Sequence, residues 1–140
     1  AVQYGCEWCS VRRQVVNHQL GPRGTPFLGL PGNPVAAMVT FLQFAAPLLA
    51  RLQGREDGVP ARLLAVAEHD LRSRSGRVDY LRGVYRSDAE GRLRVAATGA
   101  QGSGILSSMV QANCLIEITA ERDAVAAGEA VTIQPLFRFP

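Results

Sequence analysis

Gly29-Leu30-Pro31-Gly32-Asn33-Pro34-Val35-Ala36-Ala37-Met38-Val39-Thr40-Phe41 is the stretch from which the architecture of this chain follows. Phe27, Leu28 and Leu30 form a short apolar run with the character of a buried strand. Pro31-Gly32 breaks the run, because proline fixes φ and glycine allows the dihedrals of a tight turn. Asn33 then suits an N-cap, and Pro34 suits the first helical position, where its missing N–H costs nothing. The apolar positions Val35, Met38, Val39, Leu42, Ala45, Ala46 and Leu49 surround most of the following helix, so it is expected to be largely buried. It should kink at Pro47, which removes the bond to the Gln43 carbonyl, and stop at Gly54. A helix that opens at a strand end presents free N–H groups to an anion, although Pro34 removes one donor and many such turns only connect.

With 140 residues, the chain can make one ordinary domain, or a small domain plus a piece of another. Hydrophobic residues make up 47% of it, which favours a packed core over disorder. The longest apolar segment, Val35 to Leu52, is interrupted by Thr40, Gln43, Pro47 and Arg51, and reads as a core helix rather than a membrane span. The start at Ala1, with no basic-then-apolar leader, suggests a trimmed or incomplete chain rather than a secreted precursor. The three cysteines, Cys6, Cys9 and Cys114, are an odd number and point to a reducing cytoplasm rather than a disulfide framework. Cys6-Glu7-Trp8-Cys9 is a single C-x-x-C, and neither His18 nor His69 is spaced to complete a zinc site, so no metal ligand is assigned.

All 15 basic residues are arginine, and the net charge is +3. Arg72, Arg74, Arg77, Arg82, Arg86, Arg92 and Arg94 crowd one stretch, opposed there by Asp79, Asp88 and Glu90. Guanidinium groups match oxyanions bidentately, so an anionic ligand is one reading and solvated strand faces the other.

A polar break, Gly54 to Pro60, separates helical from strand periodicity, and the domain boundary is placed at 54/55. Beyond it, Arg62–Glu68, Arg77–Arg86, Arg92–Ala97, Cys114–Thr119 and Glu129–Gln134 read as short strands, and Ile105–Gln111 as a helical turn. Five such strands imply a small antiparallel barrel or sandwich. Gly99-Ala100-Gln101-Gly102-Ser103-Gly104 brings glycines and a hydroxyl together, as an oxyanion site requires. A hydrolase triad is rejected, because His69 and Asp70 are not tied to Ser103 and the strand-turn-helix elbow is missing.

Together these motifs resemble the molybdopterin molybdenumtransferase family, bacterial MoeA and the gephyrin E domain. Gly29 to Val35 is similar to its LPGNP signature, Arg77-Val78-Asp79-Tyr80-Leu81-Arg82 to its arginine-bearing strand, and Gly99 to Ser108 to its glycine-glutamine-serine loop. Ala112 to Ile116 and Ala127-Gly128-Glu129 also match, and the similarity covers residues 20–137. The resemblance implies an α+β chain: the end of an α/β molybdopterin-binding domain over 1–54, then a C-terminal β-barrel of about five strands over 55–140. It implies an enzyme that hydrolyses adenylated molybdopterin with Mg²⁺ and inserts molybdenum from molybdate, working as a cytoplasmic homodimer. By motif match, Pro31, Pro34 and Ser103 fall in the catalytic region, and Gly32, Asn33, Arg77 and Ser103 would hold molybdate or a pterin oxyanion.

The family's arginine-proline-glycine-lysine-proline segment has no counterpart, since Val11–Gln19 stands in its place and the chain has no lysine. A frame or assembly error before about Leu20, or divergence, would account for that. The Mg²⁺ ligands are expected upstream, so these residues by themselves are expected to be inactive. The competing readings are an inactive remnant, or a non-catalytic barrel binding nucleic acid, for which only Tyr80 and Tyr85 offer stacking surfaces.

Overall fold

The computed structural model describes residues 17–20, 26–56, 58–74, 76–99, 101 and 106–136. The chain divides into two compact units, Ala1–Val59 and Pro60–Pro140.

In the first unit, β1 (Asn17–Leu20) and β2 (Pro26–Gly29) form an antiparallel hairpin, with Asn17 opposite Gly29 and Leu20 opposite Pro26. The polar sequence of β1 has no strand periodicity, so only its pairing with β2 reveals it. After the Pro31-Gly32 turn come α1 (Pro34–Thr40) and α2 (Ala46–Leu52), joined without a break by a π-helical stretch, Phe41–Ala45. Asn33 caps α1 as its sequence requires: the Ala36 N–H donates to Asn33 Oδ1 at 3.1 Å. The irregularity expected at Pro47 lies just before it. The Ala46 N–H donates to the Phe41 carbonyl, five residues back, so the chain enters Pro47 from a widened turn. Gly54 ends the helix with φ of +74°, a conformation that costs a glycine little.

The reading of this helix holds in extent and is corrected in burial. It runs unbroken from Pro34 to Leu52, and by length and composition it is apolar enough to cross a membrane, a test that core helices of larger domains also pass. It is not largely buried: Val35, Thr40, Ala45 and Ala50 are, whereas Met38, Phe41, Leu49 and Leu52 are exposed. A helix that is apolar all round needs covering on several sides. Among the described residues, its own unit offers only the β1–β2 hairpin and the short segment after Leu52.

The second unit is a closed five-stranded barrel. Its members are β3 (Leu63–Ala67), β5 (Asp79–Ser87), β6 (Leu93–Ala97), β7 (Cys114–Ile118) and β9 (Ala130–Pro135), in the order β3-β6-β5-β7-β9. Every neighbouring pair is antiparallel except β3 and β6, where Ala67 lies opposite Val95 in parallel. Strand direction cannot alternate all the way round a ring with an odd number of strands, so one pair must be parallel. Alternation along the strands sends Ala65, Ala67, Val95, Cys114, Ile116, Ile118, Val131 and Ile133 inward. Two short strands absent from the sequence reading, β4 (Leu71–Arg72) and β8 (Ala124–Val125), pair with each other and add Leu71 and Val125 to that core. The helical turn appears as α3 (Leu106–Gln111).

β5 is the pivot of the barrel. Asp79–Gly83 pair with β7 and Gly83–Ser87 pair with β6, so within β5 Gly83 alone lies in register with both neighbouring strands. A Cβ on Gly83 would fall 2.8 Å from Ile116 Cδ1 and 3.1 Å from Cys114 Sγ, so the residue must be glycine for packing reasons. Two carboxamide side chains extend the ladders beyond the ends of the neighbouring strands. Asn113 Oδ1 accepts the Tyr85 N–H at 2.8 Å, and Asn113 Nδ2 donates to the Tyr85 carbonyl at 3.0 Å, ahead of β7. Past the end of β6, Gln101 does the same for Arg82: Oε1 accepts its N–H and Nε2 donates to its carbonyl, both at 3.0 Å.

Three outcomes follow. Gly83→Val overpacks the barrel and should lower its stability by about 1–3 kcal/mol, read as an earlier thermal midpoint. Asn113→Asp keeps the shape but loses the donor, leaving the Tyr85 carbonyl without its partner; denaturant titration should show a loss of about 1–3 kcal/mol. Burial pushes the Cys114 thiol up to about 12. Iodoacetamide at mildly alkaline pH should therefore leave Cys114 unmodified in the native protein and alkylate it once denaturant is added, as peptide mapping would show.

Candidate functional site

The second unit carries a cleft of about 510 Å³ lined by Arg72, Arg74, Arg77 and Arg82, with Tyr80 and Gln101 beside them. Arg72 comes from β4, and Arg74 and Arg77 from the connection to β5. Tyr80 and Arg82 come from β5 itself. The same alternation that turns Leu81 and Tyr85 to the core turns Tyr80 and Arg82 to the outer face.

Arg82 is 5% exposed, and its Nε donates to the hydroxyl of Ser108 on α3 at 3.0 Å. Burial pushes its guanidinium below the ordinary value, yet an arginine stays protonated at neutral pH, so a desolvated cation stands in the wall of the cleft. Its main chain is held as firmly. The carbonyl accepts the Thr98 N–H at 2.8 Å and the Thr98 hydroxyl at 3.1 Å, in addition to Gln101. Gln101 Nε2 also donates to the Thr98 carbonyl.

Among the described residues, Asp79 is the sole acid lining the cleft, and both its oxygens are engaged. Oδ1 pairs with Arg77 Nε at 2.8 Å; Oδ2 accepts the Ser73 hydroxyl at 2.8 Å and the Arg74 N–H at 3.3 Å. Among the described residues, no acidic side chain pairs with Arg72 or Arg74. Burial, then the charge of Glu117, pushes the Tyr80 phenol up, so it is neutral at physiological pH. Glu117 in turn accepts Arg62 Nε at 3.0 Å and Gln134 Nε2 at 2.8 Å. A smaller, more apolar pocket of about 340 Å³, bordered by His69, Leu71 and Ala97, shares Arg72, Leu81 and Gln101 with the cleft. His69 Nε2 accepts the Ala97 N–H there at 3.2 Å.

Of the residues singled out in the sequence, Pro31, Gly32, Asn33 and Pro34 form one turn in the first unit, with the Asn33 side chain committed to its cap. Arg77 reaches the cleft in the second unit, but it is exposed and already paired with Asp79. Ser103, with Gly102 and Gly104, lies outside the described residues, as do Cys6 and Cys9. Arg82 was not singled out. Its signal was available: an arginine in phase with Tyr80 on a strand, at the border of the residues that go on to pair with β6. Among the described residues no three histidine, cysteine or acidic side chains converge as a metal site would require.

The family model for the MoeA C-terminal region (domain IV) matches residues 65–136. A molybdopterin molybdenumtransferase of Haemophilus influenzae is 46% identical over 110 residues, covering 78% of this chain and 27% of its own length. Molybdopterin molybdenumtransferase 1 of Mycobacterium tuberculosis is 32% identical over 119 residues, covering 82% of this chain and 28% of its own length. Among solved structures, the molybdopterin biosynthesis MoeA protein of Pyrococcus horikoshii superposes with a TM-score of 0.65 at 27% identity, over 81% of this chain and 30% of that one. A molybdenum cofactor biosynthesis protein of Pyrococcus furiosus superposes with a TM-score of 0.64 at 29% identity, over 81% of this chain and 41% of that one. The chain thus spans little more than a quarter of the length of the curated relatives it matches. With its five-stranded barrel and a match running through nearly the whole of it, the chain belongs to the MoeA family, of which it carries the C-terminal region.

Proposed function

We propose that this chain is the C-terminal part of a molybdopterin molybdenumtransferase and that its arginine cleft holds the oxyanion, molybdate or an anionic group of the pterin substrate. The observation that carries this is the charge of the cleft: among the described residues, four guanidinium groups share one surface, and the single lining acid is already paired to one of them. A tetrahedral oxyanion offers acceptor oxygens in several directions, and planar guanidinium forks can meet them in pairs. Arg82 contributes most per contact, because a cation taken from water before the ligand arrives needs no further desolvation to bind it. Arg72 and Arg74 supply attraction from solvent. Ser103 adds a hydroxyl in this proposal, as its motif match implies.

In the other unit, the proposed role of Pro31 to Pro34 is that of a rigid wall of the pterin site. Two prolines and a capped helix start leave that backbone little freedom. The boundary between the two proposed domains lies at 54/55. Whole-protein activity, in which molybdenum from molybdate is inserted into adenylated molybdopterin, belongs to the full length of the relatives, and the homodimer and the cytoplasmic location are proposed with it. The described residues do not fit Mg²⁺, which wants several oxygen ligands. Its ligands are assigned to the length of the relatives that this chain does not span.

Isothermal titration of the chain with molybdate tests the cleft. Arg82→Ala should weaken binding by roughly 10- to 100-fold, the range of a lost hydrogen bond to a charged group. Arg77→Ala should cost less, since its charge is already offset by Asp79. Ser103→Ala should weaken binding too. Unchanged affinity in Arg82→Ala would remove the cleft from the reaction.

A further inference from the structure

We propose that Asp79 is the positioning residue of the arginine cleft, a clamp through which a negative charge promotes the binding of an anion; this rests on the oxyanion reading above. Arg72, Arg74 and Arg77 are exposed cations within six positions of one another, and their mutual repulsion favours splaying into solvent. Something must hold them on one cleft with Arg82. Asp79 is placed to do so. It stands on β5, opposite Ile118 of β7, and is therefore anchored in the barrel. One oxygen takes the Arg77 side chain at 2.8 Å. The other takes the Ser73 hydroxyl at 2.8 Å and the Arg74 N–H at 3.3 Å. A single carboxylate thus fixes three residues of the segment that presents the arginines. Among the described residues, the far side of that segment is tied by main-chain bonds, from the Ser73 N–H to the Asp123 carbonyl and from the Gly76 N–H to the Ala120 carbonyl, both at 2.8 Å.

The clamp and a simple charge effect predict opposite signs. An acid that merely sits among cations repels an incoming anion, so removing it should tighten binding. If the acid organises the cations, removing it frees the Arg77 side chain and the segment that carries Arg74, and weakens binding, because the ligand must then meet the cost of ordering them.

The test combines molybdate titration with the rate of trypsin cleavage after Arg72, Arg74 and Arg77, mapped by mass. It uses the 140-residue chain and its Asp79→Ala, Asp79→Asn and Ser73→Ala variants. The clamp predicts that Asp79→Ala binds molybdate at least about tenfold more weakly and is cut at these arginines at least about tenfold faster than the wild-type chain. Asp79→Asn, which keeps an acceptor for Ser73 without the charge, should fall between the two. So should Ser73→Ala, which keeps the charge. Equal or tighter binding by Asp79→Ala overturns the proposal, and so does unchanged cleavage. If the wild-type chain binds no molybdate, the oxyanion reading fails on its own account, and the cleavage rates alone decide the clamp. If Asp79→Ala is also cut after Arg86 and Arg94, inside the strands, the barrel has opened in that variant; Ser73→Ala then decides, with wild-type cleavage counting against the clamp.

Discussion

The barrel depends on one strand whose two edges are paired over different halves of its length. β5 gives its first half to β7 and its second half to β6, and the exchange takes place at Gly83. Neither neighbour is long enough to cover β5 alone, so the uncovered main-chain groups must find other partners. Asn113 serves Tyr85 on one edge and Gln101 serves Arg82 on the other, each carboxamide standing in for a missing strand residue. A primary amide is suited to this, because it presents one donor and one acceptor side by side, as a peptide group does.

That arrangement also links stability to the proposed chemistry. Gln101 is part of the loop whose pattern suggests a ligand site, yet its polar atoms are occupied with the main chain of Arg82 and Thr98. Its contribution is to hold the strand that carries Arg82, whose side chain is held separately by Ser108. A buried arginine is costly to desolvate, and a rigid surround keeps that cost from being relieved by a local opening to water. Around Arg82 the other three arginines stay exposed, where water stabilises their charge and salt screens it.

Strand positions were legible because each barrel strand keeps a period of two over at least one buried residue, as in Leu93, Val95 and Ala97, or Cys114, Ile116 and Ile118. The cap at Asn33 and the stop at Gly54 were legible because both are local: a side chain and its own helix end, or one residue's φ. The elements that escaped have no such local signature. β1 is polar, and β4 and β8 are two residues each, so their strand character comes from a partner far along the chain. The helix was read as buried from its composition, but burial depends on what surrounds it.

The same division applies to the cleft. Crowding of arginines between positions 72 and 94 is a property of the sequence, and with it the prospect of an anionic ligand. Which arginine goes inside is not. Arg77 and Arg82 sit at the two ends of one matching motif; only the barrel distinguishes them, pairing Arg77 with Asp79 at the surface and closing α3 over Arg82. By itself the sequence determined local geometry, strand phase and family, because those depend on neighbouring residues and on motif order. The tertiary structure decided the closure of the ring, the parallel pair that closure demands, and the depth at which each charge sits. Those depend on distances between residues remote in the chain, which no local pattern specifies.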